Sequence, residues 1–132
     1  MKNLSIRTTA RFQMVDITGD IRKAVRDSEV TSGFCLVFVP HTTAAVTINE
    51  NADPDVSRDI LTGLDKFIPL HDNYRHLEGN AAAHIKASLV GASEQIIIEK
   101  GELVLGTWQS VFFCEFDGPR TRRVLVRVIR NV

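Results

Sequence analysis

The chain reads as an α+β domain: a mostly antiparallel sheet or two packed sheets, with about three helices. Three observations lead there. Strand-like segments outnumber helical ones. From Gln95 onward the pattern is strands only, so strands and helices are partly segregated along the chain. Lys100-Gly101 and Asp117-Gly118-Pro119 punctuate that last stretch as hairpin-type turns. Such segregation favours antiparallel sheets with helices gathered to one side. A chain of 132 residues with 44% hydrophobic content suits one domain, residues 1–132.

Each element follows from its own residues. Residues 4 to 14 alternate, with Leu4, Ile6, Ala10, Phe12 and Met14 on one parity, which predicts a half-buried strand. A helix opens at Thr18-Gly19-Asp20, with Thr18 or Asp16 as its N-cap, and ends at Thr31-Ser32-Gly33. Ile21, Ala24, Val25 and Ser28 fall on one face of it. FCLVFV, residues 34–39, is apolar on both faces, as expected of a central strand. Ala44 to Asn49 forms the next strand. Asp53 caps a second helix, and Pro54 suits its first position because no N–H is needed there. Val56, Ile60, Leu61, Leu64 and Phe67 make the buried stripe of that helix. A third helix runs from about Gly79 to Val90 and stops at Gly91. Strands at 95–99, 103–105, 108–116 and 121–129 complete the chain.

Composition narrows the function classes. Lysine plus arginine equals aspartate plus glutamate at 16 each, so no nucleic-acid or membrane-surface partner is indicated. The basic cluster Arg120 to Arg130 alternates with valines and reads as the outer face of a strand. No apolar run approaches the roughly 20 residues of a membrane span. The start, MKNLSIRTTARF, lacks the apolar core of a signal peptide. Cys35 and Cys114 lie far apart in apolar strands, without a CxxC pair. They read as buried thiols in a reduced cytoplasm, with a disulfide as the alternative.

The chemistry concentrates at strand ends and turns. Pro40 stops the run 34–39, and His41, Thr42 and Thr43 follow at once. On the third helix Asn80, His84 and Ser88 form a polar stripe opposite Ala81, Ile85 and Leu89. His76 precedes that helix and can curl back towards it. Convergence of His41, His76 and His84 would make a metal site; surface histidines are the alternative, and no HxxxH or HExxH spacing occurs. The turn Asn49 to Asp55 mimics a calcium loop. Its register fails, because Pro54 and Ile60 fall where glycine and glutamate belong. Asp53 and Asp55 are explained as a cap and a dipole partner, which leaves Asn49 and Glu50 as candidates. Gln109 and Glu115 share a face of an apolar strand and need partners, either structural or in a site. Arg120 can grip a phosphate with its planar fork or sit free on the surface. No phosphate-binding glycine loop or nucleophile elbow is present.

Three blocks carry a resemblance: HTTAAVTINENADPDV at 41–56, RHLEGNAAAHIKASLVG at 75–91 and GTWQSVFFCEFDGPR at 106–120. Together they resemble the YjbQ family, also described as secondary thiamine-phosphate synthases. Ser110 stands where a glycine is usual. The resemblance implies a compact α+β fold that assembles as a homotrimer, with sites near subunit contacts. It implies that His41, His76 and His84 are the motif histidines, and the ligands where a member binds a metal, while His71 lies outside the pattern. Asn80, Gln109, Glu115 and Arg120 also fall on motif positions. The implied activity joins a hydroxymethylpyrimidine pyrophosphate to a thiazole phosphate and releases pyrophosphate, as a weak secondary activity. In that reading a divalent ion (zinc or magnesium) and Arg120 neutralise the leaving pyrophosphate. His41, His84, Gln109 and Glu115 carry catalysis, with Glu115 orienting a metal ligand or acting as base. Thr42, Thr43, Asn49, Asn80 and Arg120 bind the substrates. Two other readings stand beside it: a metal-dependent hydrolase of a phosphorylated or cyclic small molecule, and a non-catalytic small-ligand-binding trimer.

Overall fold

Alternating apolar residues build two antiparallel sheets, and the break between them comes early. A computed structural model describes residues 1–132. The strands are β1 (Lys2–Arg7), β2 (Gln13–Asp16), β3 (Gly33–Phe38), β4 (Ala44–Glu50), β5 (Ser93–Glu99), β6 (Glu102–Leu103), β7 (Gln109–Glu115) and β8 (Thr121–Arg130). The helices are α1 (Thr18–Ser28), α2 (Pro54–Phe67) and α3 (Ala81–Val90). One sheet has the order β1-β8-β3-β5-β6 and the other β2-β7-β4, with antiparallel pairing throughout. The α+β expectation therefore holds in its two-sheet form. No helix is long and apolar enough to cross a membrane.

The single strand expected over 4–14 is instead two, and they belong to different sheets. β1 pairs with β8, and β2 pairs with β7. The residues between turn on their own polar groups. The Thr9 amide donates to Gln13 Oε1 at 2.8 Å, and the Thr8 and Gly118 amides donate to the carbonyls of Arg120 and Arg11. Parity alone cannot show such a crossing, because the alternation resumes in step on the far side.

The space between the sheets is the main core. Ile6, Cys35, Val37, Val124 and Val126 face Ala44, Val46, Val111 and Phe113 across it, and Ile17, at the cap of α1, joins them with Ile21 and Val25 of the helix. Asp16 supports the start of α1 by accepting the Thr18 amide at 2.9 Å and the Thr18 hydroxyl at 2.6 Å. Residue 17 occupies the cap position itself, so Thr18 is not the cap. The far side of the smaller sheet makes a second core. There Ala45, Phe112, Cys114 and Phe116 meet Ala83 and Ala87 of α3, with Leu61 and Leu64 of α2 alongside. β3 lies between β8 and β5, as its two-sided apolar run predicts. Both cysteines are free and buried. Burial pushes the Cys35 thiol up to about 11 and the Cys114 thiol up to about 12, so both stay protonated and inert.

Two helix faces differ from expectation. α3 buries Ala81, Ala82, Ala83, Lys86 and Ala87, whereas Ile85 and Leu89 lie exposed. Small alanines let the helix lie close on the sheet. Lys86, the one long side chain on that face, sets its ammonium 4.1 Å from the Phe12 ring centre and 3.2 Å from Asp65 Oδ1. α2 is capped as predicted: Asp53 accepts the Asp55 amide at 2.9 Å, a contact of about 1 kcal/mol in general. Yet α2 has no fully buried residue, and Phe67 is 80% exposed. Its apolar stripe is only half covered within one chain. The outer face of the larger sheet is likewise open, with Phe38 42% and Ile97 59% exposed.

Candidate functional site at the β7–β8 turn

The Asp117-Gly118-Pro119 turn does not close the expected hairpin: it carries the chain from β7 in the smaller sheet to β8 in the larger one, with Glu115 and Arg122 seven positions apart on either side of it. Arg122 Nε donates to both oxygens of Glu115, at 2.9 and 3.1 Å, and Nη2 donates to Oε2 as well. Nη2 also donates to the Thr43 hydroxyl at 2.9 Å and the Thr43 carbonyl at 3.3 Å. The Thr8 hydroxyl donates to Glu115 Oε1 at 2.8 Å, and the Asp117 amide donates to Oε2 at 3.1 Å. All of these groups except Asp117 are buried. Burial by itself would raise the Glu115 carboxyl. The donors from Arg122, Thr8 and the Asp117 amide outweigh it and hold the carboxyl below its usual range. Glu115 is thus an anion at neutral pH with both oxygens engaged, a fixed strut rather than a free base. Thr43 is spent on the same strut.

Above the strut lies a second layer that reaches solvent. Asp117 Oδ2 accepts from Asn80 Nδ2 at 2.9 Å and from Arg120 Nη2 at 3.1 Å. Arg120 Nε donates to the Asp117 carbonyl, which leaves Nη1 without a partner in the chain. Asn80 therefore ties the start of α3 to the turn instead of capping its own helix. Its Oδ1 is buried without a hydrogen-bond partner. Gly118 is required by space here: a Cβ would come within 2.8 Å of Glu115 Cγ and 2.9 Å of Thr8 Oγ1.

His41 lines an open hollow of about 530 Å³ with Thr42, Thr43, Arg120 and Arg122. Its Nε2 accepts the Arg123 amide at 2.9 Å, which leaves Nδ1 to carry the proton of the neutral ring. Burial, followed by the charge of Arg122, holds its pKa below the usual histidine value. A neutral imidazole and a half-free guanidinium therefore share one concave surface. Such a pair can hold a phosphate-type anion, the arginine by charge and the imidazole by its Nδ1–H.

Not every predicted site residue joins this turn. His84 lies one helical turn beyond Asn80, and its ring meets that of His76 edge to face at 5.2 Å. His76 Nε2 is 3.9 Å from Glu78 Oε2. His84 and His76 do not line the hollow that holds His41. Within the chain no three His, Cys, Asp or Glu side chains converge to hold a metal ion, so the set His41, His76 and His84 is not assembled in one subunit. Gln109 and Asn49 stand at the opposite end of the smaller sheet. At about 3.3 Å per residue, the six steps of β7 put Gln109 roughly 20 Å from Glu115. Gln109 Oε1 accepts the Gly106 amide at 2.8 Å, and Asn49 Oδ1 accepts the Glu50 amide at 2.7 Å. His71 is exposed.

Sequence reasoning missed Arg122, which it placed on an outer strand face, and it gave no role to Thr8 or Asp117. A signal for Arg122 was available. It shares the parity of Val124 and Val126, both buried in the main core, so it had to point inward.

Over nearly its whole length the chain is similar to known proteins. It is 52% identical over 130 residues to the UPF0047 protein YugU of Bacillus subtilis, a match that covers 98% of each chain. It is 54% identical over 124 residues to a UPF0047 protein of Methanocaldococcus jannaschii, covering 94% of this chain and 90% of that one. A crystal structure of a YjbQ/UPF0047-family protein from Clostridium acetobutylicum superposes with a TM-score of 0.97 at 57% identity, over 98% of this chain and all of that one (100%). A YbjQ-like protein of unknown function from Sulfolobus solfataricus superposes with a TM-score of 0.95 at 35% identity, covering 98% and 96%. The model of the family described as UPF0047 protein YjbQ-like matches residues 2–131. The chain belongs to the YjbQ-like UPF0047 family.

Proposed function

We propose that the β7–β8 turn binds a phosphorylated small molecule and that the protein is a transferase of thiamine-phosphate-synthase type. The observation that carries this reading is the shared hollow of His41 and Arg120 above the buried Glu115–Arg122 strut. In the reaction, the bond between the pyrimidine's methylene carbon and pyrophosphate breaks, and the electron pair leaves with the pyrophosphate. The thiazole nitrogen supplies the pair for the new carbon–nitrogen bond. The chain's part is electrostatic: Arg120 Nη1 meets the charge that grows on the leaving oxygens, and neutral His41 donates a hydrogen bond beside it. Asp117 holds Arg120 in place, and the strut holds the turn.

A divalent metal fits this chain incompletely. His76 and His84 could supply two imidazoles, but His41 is committed to the Arg123 amide. A full ligand set would need more than one subunit, and no step above is routed through an ion. A homotrimer is part of the proposal. The open apolar faces of the larger sheet and of α2 supply surface for subunit contacts.

The test is pyrophosphate release with both substrates present. Release should require the thiazole phosphate, and Arg120→Gln should lower kcat/KM by about 100-fold with the fold intact. Release without the thiazole partner would favour the hydrolase reading, and ligand-induced stabilisation without turnover would favour the binding module.

A further inference from the structure

A second hollow lies away from the β7–β8 turn, between α1 and the β5–β6 hairpin. Its volume is about 430 Å³, and Arg22, Val25, Arg26, Lys100, Gly101, Glu102 and Leu103 line it. Three cations and one carboxylate surround an apolar floor made by Val25 and Leu103. None of the four charged groups takes part in an ion pair within the chain. The contrast lies on the same helix, where Lys23 meets Asp27 at 2.8 Å. Arg22 and Arg26 are four residues apart, a spacing at which like charges repel. Two like charges at this spacing, both without an ion-pair partner, favour an anion bound between them.

The wall is rigid on both sides. Arg22 and Arg26 are held by a helix whose Ile21, Ala24 and Val25 are buried. Lys100 and Gly101 form a two-residue turn with φ of 53° and 76°, the left-handed pair that a tight hairpin demands. The Gly101 amide donates to the Thr31 carbonyl at 3.0 Å, which pins the turn to the segment between α1 and β3. Lys100 is therefore presented by a fixed backbone. A hollow of this size falls within the range of small-molecule sites.

We infer that this hollow binds an organic phosphate that carries hydroxyl groups, of the sugar-phosphate or nucleotide type. The three cations take the phosphate, the arginines through their planar forks. Val25 and Leu103 take the carbon skeleton. Glu102 would repel a bare anion, but it accepts hydrogen bonds from hydroxyls. That carboxylate is what selects an organic phosphate over an inorganic one. The inference is independent of the activity proposed at the β7–β8 turn.

The test is calorimetric titration of the full chain at low salt with ribose 5-phosphate, ADP and inorganic pyrophosphate. At least one organic phosphate should bind more tightly than pyrophosphate. The double variant R22Q/R26Q should weaken it about tenfold or more, and E102A should remove the preference over pyrophosphate. R120Q should leave this binding unchanged, which separates it from the site at the β7–β8 turn. Arg22, Arg26 and Glu102 are exposed, so these variants keep the fold. Absence of binding by both organic phosphates would overturn the inference. So would preference for pyrophosphate, insensitivity to R22Q/R26Q, or loss of binding in R120Q.

Discussion

The two ends of β7 carry polar side chains on the same face, and their fates are opposite. At one end Glu115 is fully enclosed, with donors from Arg122, Thr8 and the Asp117 amide around it. At the other end Gln109 is exposed and reaches only three residues back to the Gly106 amide. Parity is the same at both ends; what differs is the neighbouring strand. β8 folds back past Glu115 and delivers a cation into the interior. No strand does so at Gln109, and water solvates whatever its loop does not use. A polar residue in an apolar strand thus becomes part of a built site only where topology brings a second chain segment to meet it.

This contrast can be broken first at its strong end. Glu115→Ala leaves Arg122 buried without its partner and should destabilise the fold by about 3–5 kcal/mol, read from denaturant unfolding. Glu115→Leu combined with Arg122→Met should recover much of that loss, since neither charge then remains buried. Equal losses in the single and double variants would show that the ion pair is not what holds this end. The pair also predicts acid sensitivity. The folded carboxyl titrates below its ordinary 4.5, so its stabilising contribution is present above that pH and is lost as pH falls through the lower folded value.

A smaller effect tests the rim. The folded His41 ring titrates below the ordinary 6.5, so the unfolded chain takes up this proton first as pH falls. Its contribution is present above about 6.5 and fades below it. Proton or nitrogen NMR should give a His41 midpoint under 6.5 and a neutral ring protonated at Nδ1. A midpoint above 6.5 would contradict the environment described. The smallest effect belongs to the weak end of β7. Gln109→Ala should cost about 0.5 kcal/mol or less, because water replaces the Gly106 contact. A loss comparable with that of Glu115→Ala would erase the contrast between the ends.

Much of the fold was legible from local patterns. The Asp53-Pro54 start of α2, the Gly91 stop of α3, the Lys100-Gly101 hairpin and the central place of β3 all follow from residues adjacent in sequence. What stayed hidden depends on pairings between distant segments. The step from β1 to β2 is set by contacts of Thr8 and Arg11 with residues near 118 and 120. The inner face of α3 could not be read from apolar size, because four alanines and a lysine do the packing while Ile85 and Leu89 stay outside. At the site, His41, Asn80, Glu115 and Arg120 do gather around one turn. His76 and His84 pair with each other, and Asn49 and Gln109 lie across the sheet. A linear motif cannot show which of its members face one another.

β7 has one further consequence. From Val111 to Phe116 every residue is enclosed: Val111 and Phe113 lie on the side between the sheets, and Phe112, Cys114 and Phe116 on the side towards the helices. This stretch is a partition with a furnished room on each side, so no position from Val111 to Phe116 can be altered without disturbing one of them. Changes to the proposed ligand preference must therefore be made from the mouth of the hollow, at Thr42, Arg120 and the edge of His41, and leave the partition alone.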